Sequence, residues 1–168
     1  MKGIVCISSE GNIGFENKIP WYSNIDFEFF QRITSGKGNN AIIMGRKTYD
    51  SIRNIPLKGR RNYIVTHDVS KALMYKQDII VESNIENLFL LHLFFDDVFV
   101  IGGAEIFTLF APYIDTWYVT HIHNYNHGDI KFPIDLSDFE KKMIEERFDD
   151  QYQQMSFCEY SRKEVNLF

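Results

Sequence analysis

The chain has 168 residues, a formal net charge of −5 and an apolar content of 45% with many aromatic residues. This length suits one domain with a hydrophobic core, so residues 1–168 are interpreted as a single domain, and the composition argues against disorder. The acidic balance gives no support for binding to nucleic acid or to an anionic membrane surface.

The chain lacks the marks of a secreted or membrane protein. Its two cysteines, Cys6 and Cys158, have no CxxC spacing and are interpreted as reduced thiols. The N-terminus turns polar too early for a signal peptide. The most apolar run, residues 88–95, is far shorter than the ~20 residues that a membrane span needs. We therefore expect a cytoplasmic protein.

Strands and short helices alternate along most of the chain. Strands are predicted over residues 3–8, 41–45, 62–66, 78–82, 97–103 and 115–122. Helices are predicted over residues 25–34, 47–52, 85–94 and 104–110, and a long polar loop precedes the first of them. The last third, residues 141–150 and 156–165, has no helical stripe and predicts two antiparallel strands.

This order predicts an α/β fold whose mixed sheet is mainly parallel and has an antiparallel C-terminal edge. Ligands bind such sheets at the carboxyl ends of the strands. Four short segments fall at those ends, and we treat them as candidate site residues. They are Met44-Gly45-Arg46, Thr66-His67, Ile101-Gly102-Gly103 and Thr120.

Asp26 is the most unusual residue of the first predicted helix. At about 100° per residue it falls within an apolar arc formed by Ile25, Phe27, Phe29, Phe30 and Ile33. One interpretation is helix capping, because Ser23 and Asp26 have the spacing of a capping box. The other is a desolvated carboxylate that binds a ring bearing N–H donors. The two interpretations are compatible.

Two strand ends could bind phosphate. In IGGAEIF a buried strand runs into Gly102-Gly103 and a helix begins at once, although a plain tight turn explains this equally well. In MGRKTYDSI the cations Arg46 and Lys47 open a helix, where the helix dipole prefers acids. A bound anion explains them better than a solvated basic turn. Together the two sites suggest a dinucleotide with an additional phosphate.

Other chemistries have weaker support. The sequence has neither GxGxxG nor GxxxxGK[ST], so an ordinary Rossmann site and a P-loop are not indicated. His121, His123 and His127 lie close together, but no Cys or carboxylate set completes a metal site. No cysteine or serine stands in the context of a nucleophile.

These motifs together resemble those of the dihydrofolate reductases, and the resemblance runs from GIVCISSEGNIG to SFCEYSR. In order they are IGFENKIPW followed by Asp26, MGRKTYDSI, PLKGRRN, VIGGAEIF, YVTHI, and GD with FP at residues 128–133. The resemblance implies an eight-stranded mixed sheet with four helices. It also implies hydride transfer from NADPH to C6 of dihydrofolate with protonation at N5, which gives tetrahydrofolate for one-carbon metabolism and thymidylate synthesis.

The resemblance also implies roles for individual residues on the substrate side. Asp26 would hold the pterin ring and favour protonation at N5 through a water, and Thr120 would orient Asp26. A mobile loop over residues 9–23 would close on the nicotinamide, with Ile19 and Trp21 at its tip. Arg60 would pair with the glutamate α-carboxylate of the substrate. The remaining implied substrate contacts are Ile4, Val5, Phe27, Phe30, Ile52, Leu57 and Ile101.

On the cofactor side, the implied phosphate contacts are Gly45, Arg46, Lys47, Thr48, Thr66 and His67. The implied contacts at the second helix start are Gly102, Gly103, Ala104, Glu105, Ile106 and Phe107, and the Gly102–Gly103 bond is expected to be cis. Cys6, Ile13 and Gly14 would line the nicotinamide. Phe107 stands where the family commonly has a tyrosine, and His67 replaces a more usual serine or basic pair. NADPH selection would then rest mainly on Arg46 and Lys47.

Two rival hypotheses assign the chain to different functional classes, an enzyme and a binding module. One is a pyrimidine reductase of the riboflavin pathway, against which Asp26 and PLKGR argue, since both suit a pterin with a glutamate tail. The other is a binding module with a decayed site, against which the intact Asp26, Thr120, Trp21 and Arg46 argue. The preferred interpretation is a monomeric, antifolate-sensitive reductase that needs no metal and binds neither nucleic acid nor membrane.

Overall fold

A computed structural model describes residues 1–16, 18–68, 70, 75, 79–125 and 127–163. These residues form ten strands and four α-helices. The strands are β1 (Lys2–Ile7), β2 (Asn12–Gly14), β3 (Asn40–Gly45), β4 (Arg60–Val65), β5 (Ile79–Glu82), β6 (Asp97–Val100), β7 (Thr116–Ile122), β8 (Ile130–Lys131), β9 (Phe139–Phe148) and β10 (Gln154–Arg162). The helices are α1 (Asn24–Ser35), α2 (Arg46–Ser51), α3 (Glu86–Phe89) and α4 (Ala104–Phe110).

Eight of the strands form one sheet in the order β5-β4-β3-β6-β1-β7-β10-β9. The six strands from β5 to β7 pair in parallel, and β10 and β9 complete the sheet in antiparallel orientation. This confirms the predicted mixed sheet with an antiparallel C-terminal edge. Among the described helices, none is long and apolar enough to cross a bilayer.

Alternating side chains of β1 supply two separate cores, one on each face of the sheet. Ile4 packs with Ile25 and Phe29 of α1 and with Tyr49 of α2. On the other face, the core formed with α3 and α4 includes Val5, Ile7, Leu88, Phe107 and Phe110. Because successive strand residues point to opposite faces, this alternation places α1 and α2 on one side and α3 and α4 on the other.

Gly3 allows β1 and β7 to lie side by side over a large aromatic residue. A Cβ atom built on Gly3 would lie 2.2 Å from Cε3 of Trp117, whose ring is fully buried. Any side chain at this position would overlap the indole, so the close approach requires glycine.

Strand β1 pairs over different lengths with its two neighbours, and the sheet opens where the shorter pairing ends. Towards β6 the pairing covers only Lys2 and Gly3, whereas towards β7 it continues through Ile7. The two parallel strands β1 and β6 therefore separate at their carboxyl ends. A separation of this kind produces a cleft in an α/β sheet.

Two local predictions needed correction. The predicted helix over residues 85–94 is α-helical only over Glu86–Phe89 and continues as a 3-10 helix over Leu90–Leu93. The loop before α1 contains β2, which pairs with β8 in a small second sheet. Such short elements carry no periodic signal of their own. The predicted start of β5 at residue 78 lies outside the described residues.

Candidate active site

Helix α1 begins beside the cleft, and its cap fixes the position of Asp26. Ser23 has an extended backbone, with φ −141°, and its Oγ accepts a hydrogen bond from the Asp26 amide at 3.4 Å. The capping interpretation of Ser23 is therefore confirmed. Because the cap leaves the Asp26 carboxyl group free, it does not exclude a second role for this residue.

The Asp26 carboxyl group lies among side chains of two neighbouring strands. It accepts hydrogen bonds from Thr120 of β7 and from Cys6 of β1, and those two residues are partners in the parallel register. Burial raises the pKa of the Asp26 carboxyl group, while both hydrogen bonds act in the opposite direction. The contact expected between Asp26 and Thr120 is thus present.

Cys6, which the resemblance placed beside the nicotinamide, also interacts with the Asp26 carboxyl group. Burial raises the pKa of its thiol well above the usual value, and the charge of Asp26 raises it further. The indole N–H of Trp21 lies near the thiol and acts to lower its pKa, yet it has no well-formed hydrogen bond within the described residues. An unpaired buried donor beside a carboxyl group suits a polar ligand or a water.

The apolar wall of the cleft combines residues that are distant in sequence. Five of the predicted contact residues are partly buried against the core cluster that contains Ile4, on the face of α1 and α2. They are Trp21, Phe30, Ile52, Leu57 and Ile101. The structure therefore brings together on one face most of the residues that were predicted to enclose a ring.

Two predicted substrate contacts stand apart from this wall. Phe27 is 56% exposed, so the apolar arc of α1 is not buried throughout as expected. The Val5 side chain belongs to the core on the opposite face of the sheet, which leaves only its backbone for the cleft. Alternation along β1 explains the second correction, since Ile4 and Cys6 point one way and Val5 the other.

Arg60 is a buried cation at the far end of the wall. Its guanidinium donates to Thr34 Oγ1 at 2.7 Å and to Gln31 Oε1 at 2.9 Å, and its Cζ lies 5.9 Å from the centre of the Phe30 ring. Burial lowers the pKa of this group. None of the ion pairs within the described residues includes Arg60. The arrangement fixes a cation that could receive an external carboxylate.

The two predicted phosphate-binding segments lie next to each other, because β3 and β6 are neighbours. The Gly45 amide donates to the Gly102 carbonyl at 2.8 Å, and the Gly102–Gly103 peptide bond is cis, as expected. A Cβ built on Gly103 would lie 3.7 Å from Thr48 Oγ1. Neither α2 nor α4 has a side-chain cap, so their first N–H groups remain available.

The charged groups near these helix starts differ in whether another protein group already binds them. Arg46 forms an ion pair with Asp50 at 2.6 Å, one turn further along α2. Lys47, His67 and Glu105 are exposed. Thr66 Oγ1 accepts from the Asp68 amide at 3.2 Å and so turns the chain after β4. Lys47 is the more accessible of the two adjacent cations for an external anion.

The predicted lid is attached to the loop around β8. The Gly14 carbonyl accepts from the Asp129 amide at 2.9 Å, and the Glu16 amide donates to Asp129 Oδ2 at 3.2 Å. At the other end of the loop, Tyr125 donates to the Pro20 carbonyl at 2.7 Å. Ile13 packs against the core on the α4 side, whereas Ile19 is 57% exposed.

Sequence reasoning missed the residues that hold these groups in place. In the sequence, Asp129 stands out only as part of the GD motif. Its two hydrogen bonds to the predicted lid, which we call the latch, join loops that are distant in sequence. Gln31 and Thr34 lie three residues apart on α1, a spacing that could have identified a shared face. His121 and His123 bond to Tyr160 Oη at 2.9 Å and to Ser156 Oγ at 2.7 Å.

A half-buried acid in an apolar cleft, on a sheet that also carries two uncapped helix starts, is the arrangement of a nucleotide-dependent enzyme that acts on a flat polar ring. Comparisons with known proteins agree. The family model for dihydrofolate reductase matches residues 1–162. The chain is 36% identical to dihydrofolate reductase of Staphylococcus haemolyticus over 149 residues, which covers 88% of this chain and 86% of that one.

Two further comparisons extend this result. The chain is 39% identical to dihydrofolate reductase of Bacillus subtilis over 121 residues, which covers 72% of this chain and 68% of the relative. The solved structure of dihydrofolate reductase from Enterococcus faecalis, complexed with NADP(H) and RAB-propyl, superposes with a TM-score of 0.82 at 28% identity. That match covers 97% of this chain and 96% of the other. This chain belongs to the dihydrofolate reductase family.

Proposed function

We propose that this protein reduces 7,8-dihydrofolate to 5,6,7,8-tetrahydrofolate with NADPH as the reductant. The single observation that supports this most strongly is the Asp26 carboxyl group, which is placed between Cys6 and Thr120 and faces an apolar wall. Family membership supports both the reaction and the cofactor.

Asp26 is proposed to recognise the pterin ring. Its carboxyl group can accept two N–H donors from the amidine edge of the ring, in the geometry of a bidentate pair. Because burial raises its pKa, Asp26 can take up a proton from solvent more readily than an exposed aspartate. It would then favour protonation at N5 through a water, and Thr120 would keep the carboxyl group oriented.

The rest of the substrate would follow the apolar wall to Arg60. Phe30 and Leu57 would contact the rings, and Phe27 would be covered only when a ligand is present. At the end of the wall, Arg60 would pair with the α-carboxylate of the glutamate tail. Thr34 and Gln31 support this assignment, because they hold the guanidinium in place from the protein side.

The cofactor side of the cleft fits NADPH by the chemistry of its donors. Backbone N–H groups of the α2 and α4 first turns, with Thr48, would bind the pyrophosphate. Arg46 and Lys47 would bind the 2′-phosphate, and His67 would lie beside it. NADPH, when bound, supplies the hydride. The lid would exclude water from the cleft, with Ile19 and Trp21 over the nicotinamide and Asp129 as its latch.

Diaminopyrimidine antifolates would use the same carboxyl group, because they present a similar N–H edge. Cys6 and Cys158 are free thiols, which supports a reducing compartment such as the cytoplasm. The described residues form one eight-stranded sheet with its helices and one small two-stranded sheet, which supports a single domain.

The experiment measures the loss of NADPH absorbance with purified protein and dihydrofolate, and repeats it with NADH and with methotrexate. We expect rapid loss with NADPH, slow loss with NADH and a block by methotrexate. Tight NADPH binding without turnover would disprove the proposed substrate but keep the cofactor. Turnover of a diaminopyrimidine riboside instead would favour the pyrimidine reductase hypothesis.

A further inference from the structure

The candidate cofactor side of the cleft contains a carboxylate, Asp50, that has no role in the reaction proposed above. Nη1 of Arg46 donates to Oδ2 of Asp50 at 2.6 Å, so the first residue of α2 is bound by the fifth. The Arg46 side chain is 33% exposed and that of Asp50 is 42% exposed. The ion pair is therefore accessible to a ligand that binds at the carboxyl end of β3, the strand that runs directly into α2.

Helix stability alone does not account for this ion pair. An acid placed four residues before a base stabilises a helix more than the reverse order does, because acids interact favourably with the N-terminal end and bases with the C-terminal end. In α2 the order is reversed, with the base Arg46 first and the acid Asp50 near the end. A partly exposed pair of this kind also contributes little free energy to folding. Its main effect is on the charge that Arg46 presents to a ligand.

Tyr75 shows which charges act on this part of the surface. Its ring packs edge-on against Tyr49 of α2, with 5.3 Å between the ring centres. Burial raises the pKa of the Tyr75 hydroxyl, and the charges of Asp50 and Asp68 raise it further. The charge of Arg46 acts in the opposite direction. Two acids therefore act against one base at this point, and their combined field does not favour an additional negative charge.

The neighbouring base on α2 is not neutralised in this way. Lys47 is exposed, and among the described residues it belongs to none of the ion pairs. Of the two adjacent bases at the start of α2, one is thus free and the other is paired with Asp50. A phosphate that binds here would meet the full charge of Lys47 but only part of the charge of Arg46.

The charge of the ligand makes this arrangement relevant to selectivity. The 2′-phosphate that distinguishes NADPH from NADH is close to a dianion at neutral pH, whereas the 2′-hydroxyl of NADH is uncharged. Arg46 has several N–H donors in a planar fork, so it can bind a phosphate with one edge while Nη1 stays bound to Asp50. The Asp50 carboxylate would then repel the phosphate across the shared guanidinium, and NADH would not experience this repulsion.

We propose that Asp50 is a specificity-determining residue of the cofactor site. It neutralises part of the Arg46 charge and repels a 2′-phosphate, so the chain prefers NADPH over NADH less strongly than its two bases alone would allow. This rests on the proposed function, because it assumes that the 2′-phosphate of NADPH binds beside Arg46.

The first test measures the dissociation constants of NADPH and NADH by fluorescence titration for the wild type and for Asp50→Asn. Removing the charge should tighten NADPH binding by at least about threefold and leave NADH binding nearly unchanged. The gain should shrink as ionic strength rises, because salt screens partly exposed charges. The matched control Glu140→Gln removes the same charge from an exposed position on β9, far from β3 in the sheet, and should change neither constant. Circular dichroism checks that each variant is folded.

The second test asks whether Asp50 acts through the ion pair. In an Arg46→Ala background, Asp50→Asn should have a smaller effect on the NADPH dissociation constant than it has in the wild type. An undiminished effect in that background would overturn the inference. Weaker NADPH binding by Asp50→Asn itself would also overturn it, since Asp50 would then orient Arg46 towards the phosphate instead of opposing it.

Failure of this inference and failure of the proposed function give different results. If the wild type binds neither cofactor, the proposed function fails. If it binds both, and Asp50→Asn leaves the ratio of the two dissociation constants unchanged, only the role of Asp50 is refuted.

Discussion

The thiol of Cys6 donates a hydrogen bond to the carboxyl group of Asp26, although one residue lies on β1 and the other on α1. Thr120 on β7 supplies the second donor. Because burial and the nearby acid both raise the pKa of the thiol, Cys6 stays protonated at neutral pH and remains a donor. The acidity of Asp26 therefore depends on two side chains from adjacent strands.

Replacing Cys6 by alanine should shift the pH dependence of the reaction. The thiol lowers the pKa of Asp26, so its removal raises that pKa, and the fall of kcat/KM with rising pH should move to higher pH. Cys6→Ser keeps a donor and serves as the matched control, with a profile closer to that of the wild type. Superimposable profiles for Cys6→Ala and the wild type would contradict the assignment.

Asp26→Asn should reduce turnover strongly at neutral pH and least at low pH, where the substrate can arrive already protonated. A group of this kind contributes roughly 10²–10⁴-fold to the rate. The measurement is the rate of NADPH oxidation from pH 5 to pH 9 beside the wild type. Equal losses at every pH would rule out assistance with protonation, and would leave ring binding as the only role of Asp26.

The same substitution should stabilise the unliganded protein. Burial raises the folded-state pKa of Asp26 above its unfolded value, so the stability that this group contributes is fully present below the unfolded pKa. It is lost as pH rises through the folded pKa. Asp26→Asn removes that loss. The free energy of unfolding at pH 7 should therefore increase by on the order of 1 kcal/mol, the scale of one incompletely paired buried polar group.

Urea unfolding at pH 4 and pH 7 measures this effect. The difference in unfolding free energy between Asp26→Asn and the wild type should be larger at pH 7 than at pH 4. A difference that is independent of pH would show that the substitution acts through packing instead. Together with the activity profile, the result would show that Asp26 lowers the stability of the protein although the reaction needs it.

Arg46→Ala combined with Lys47→Ala should weaken NADPH binding much more than NADH binding. Each hydrogen bond to a charged group contributes about 1.5–3 kcal/mol, so the preference for NADPH should fall by about tenfold or more. Fluorescence titration with both cofactors measures the two dissociation constants. The swap of an exposed cation outside the site, Lys37→Ala, is the control. An equal loss for both cofactors would refute the assignment of the 2′-phosphate.

Much of the fold could be predicted because its signals are local. The apolar runs within β3 and β6 are continuous, and the bounds of α4, Ala104–Phe110, coincide with the prediction. The capping role of Ser23 could likewise be predicted from the spacing of Ser23 and Asp26 alone. Elements such as β2, with three residues, carry too few side chains for a period to be visible.

The sequence by itself determined which residues are candidates for the chemistry, since an acid within an apolar arc and cations at a helix start are visible in the order of side chains. Only the tertiary structure decided what those residues touch. Cys6 meets Asp26, and Val5 does not, because the pleat of β1 sends neighbours to opposite faces. The latch at Asp129 and the bulge in β9 also depend on contacts between distant segments. Register and bulges set such contacts, and neither leaves a periodic trace along the chain.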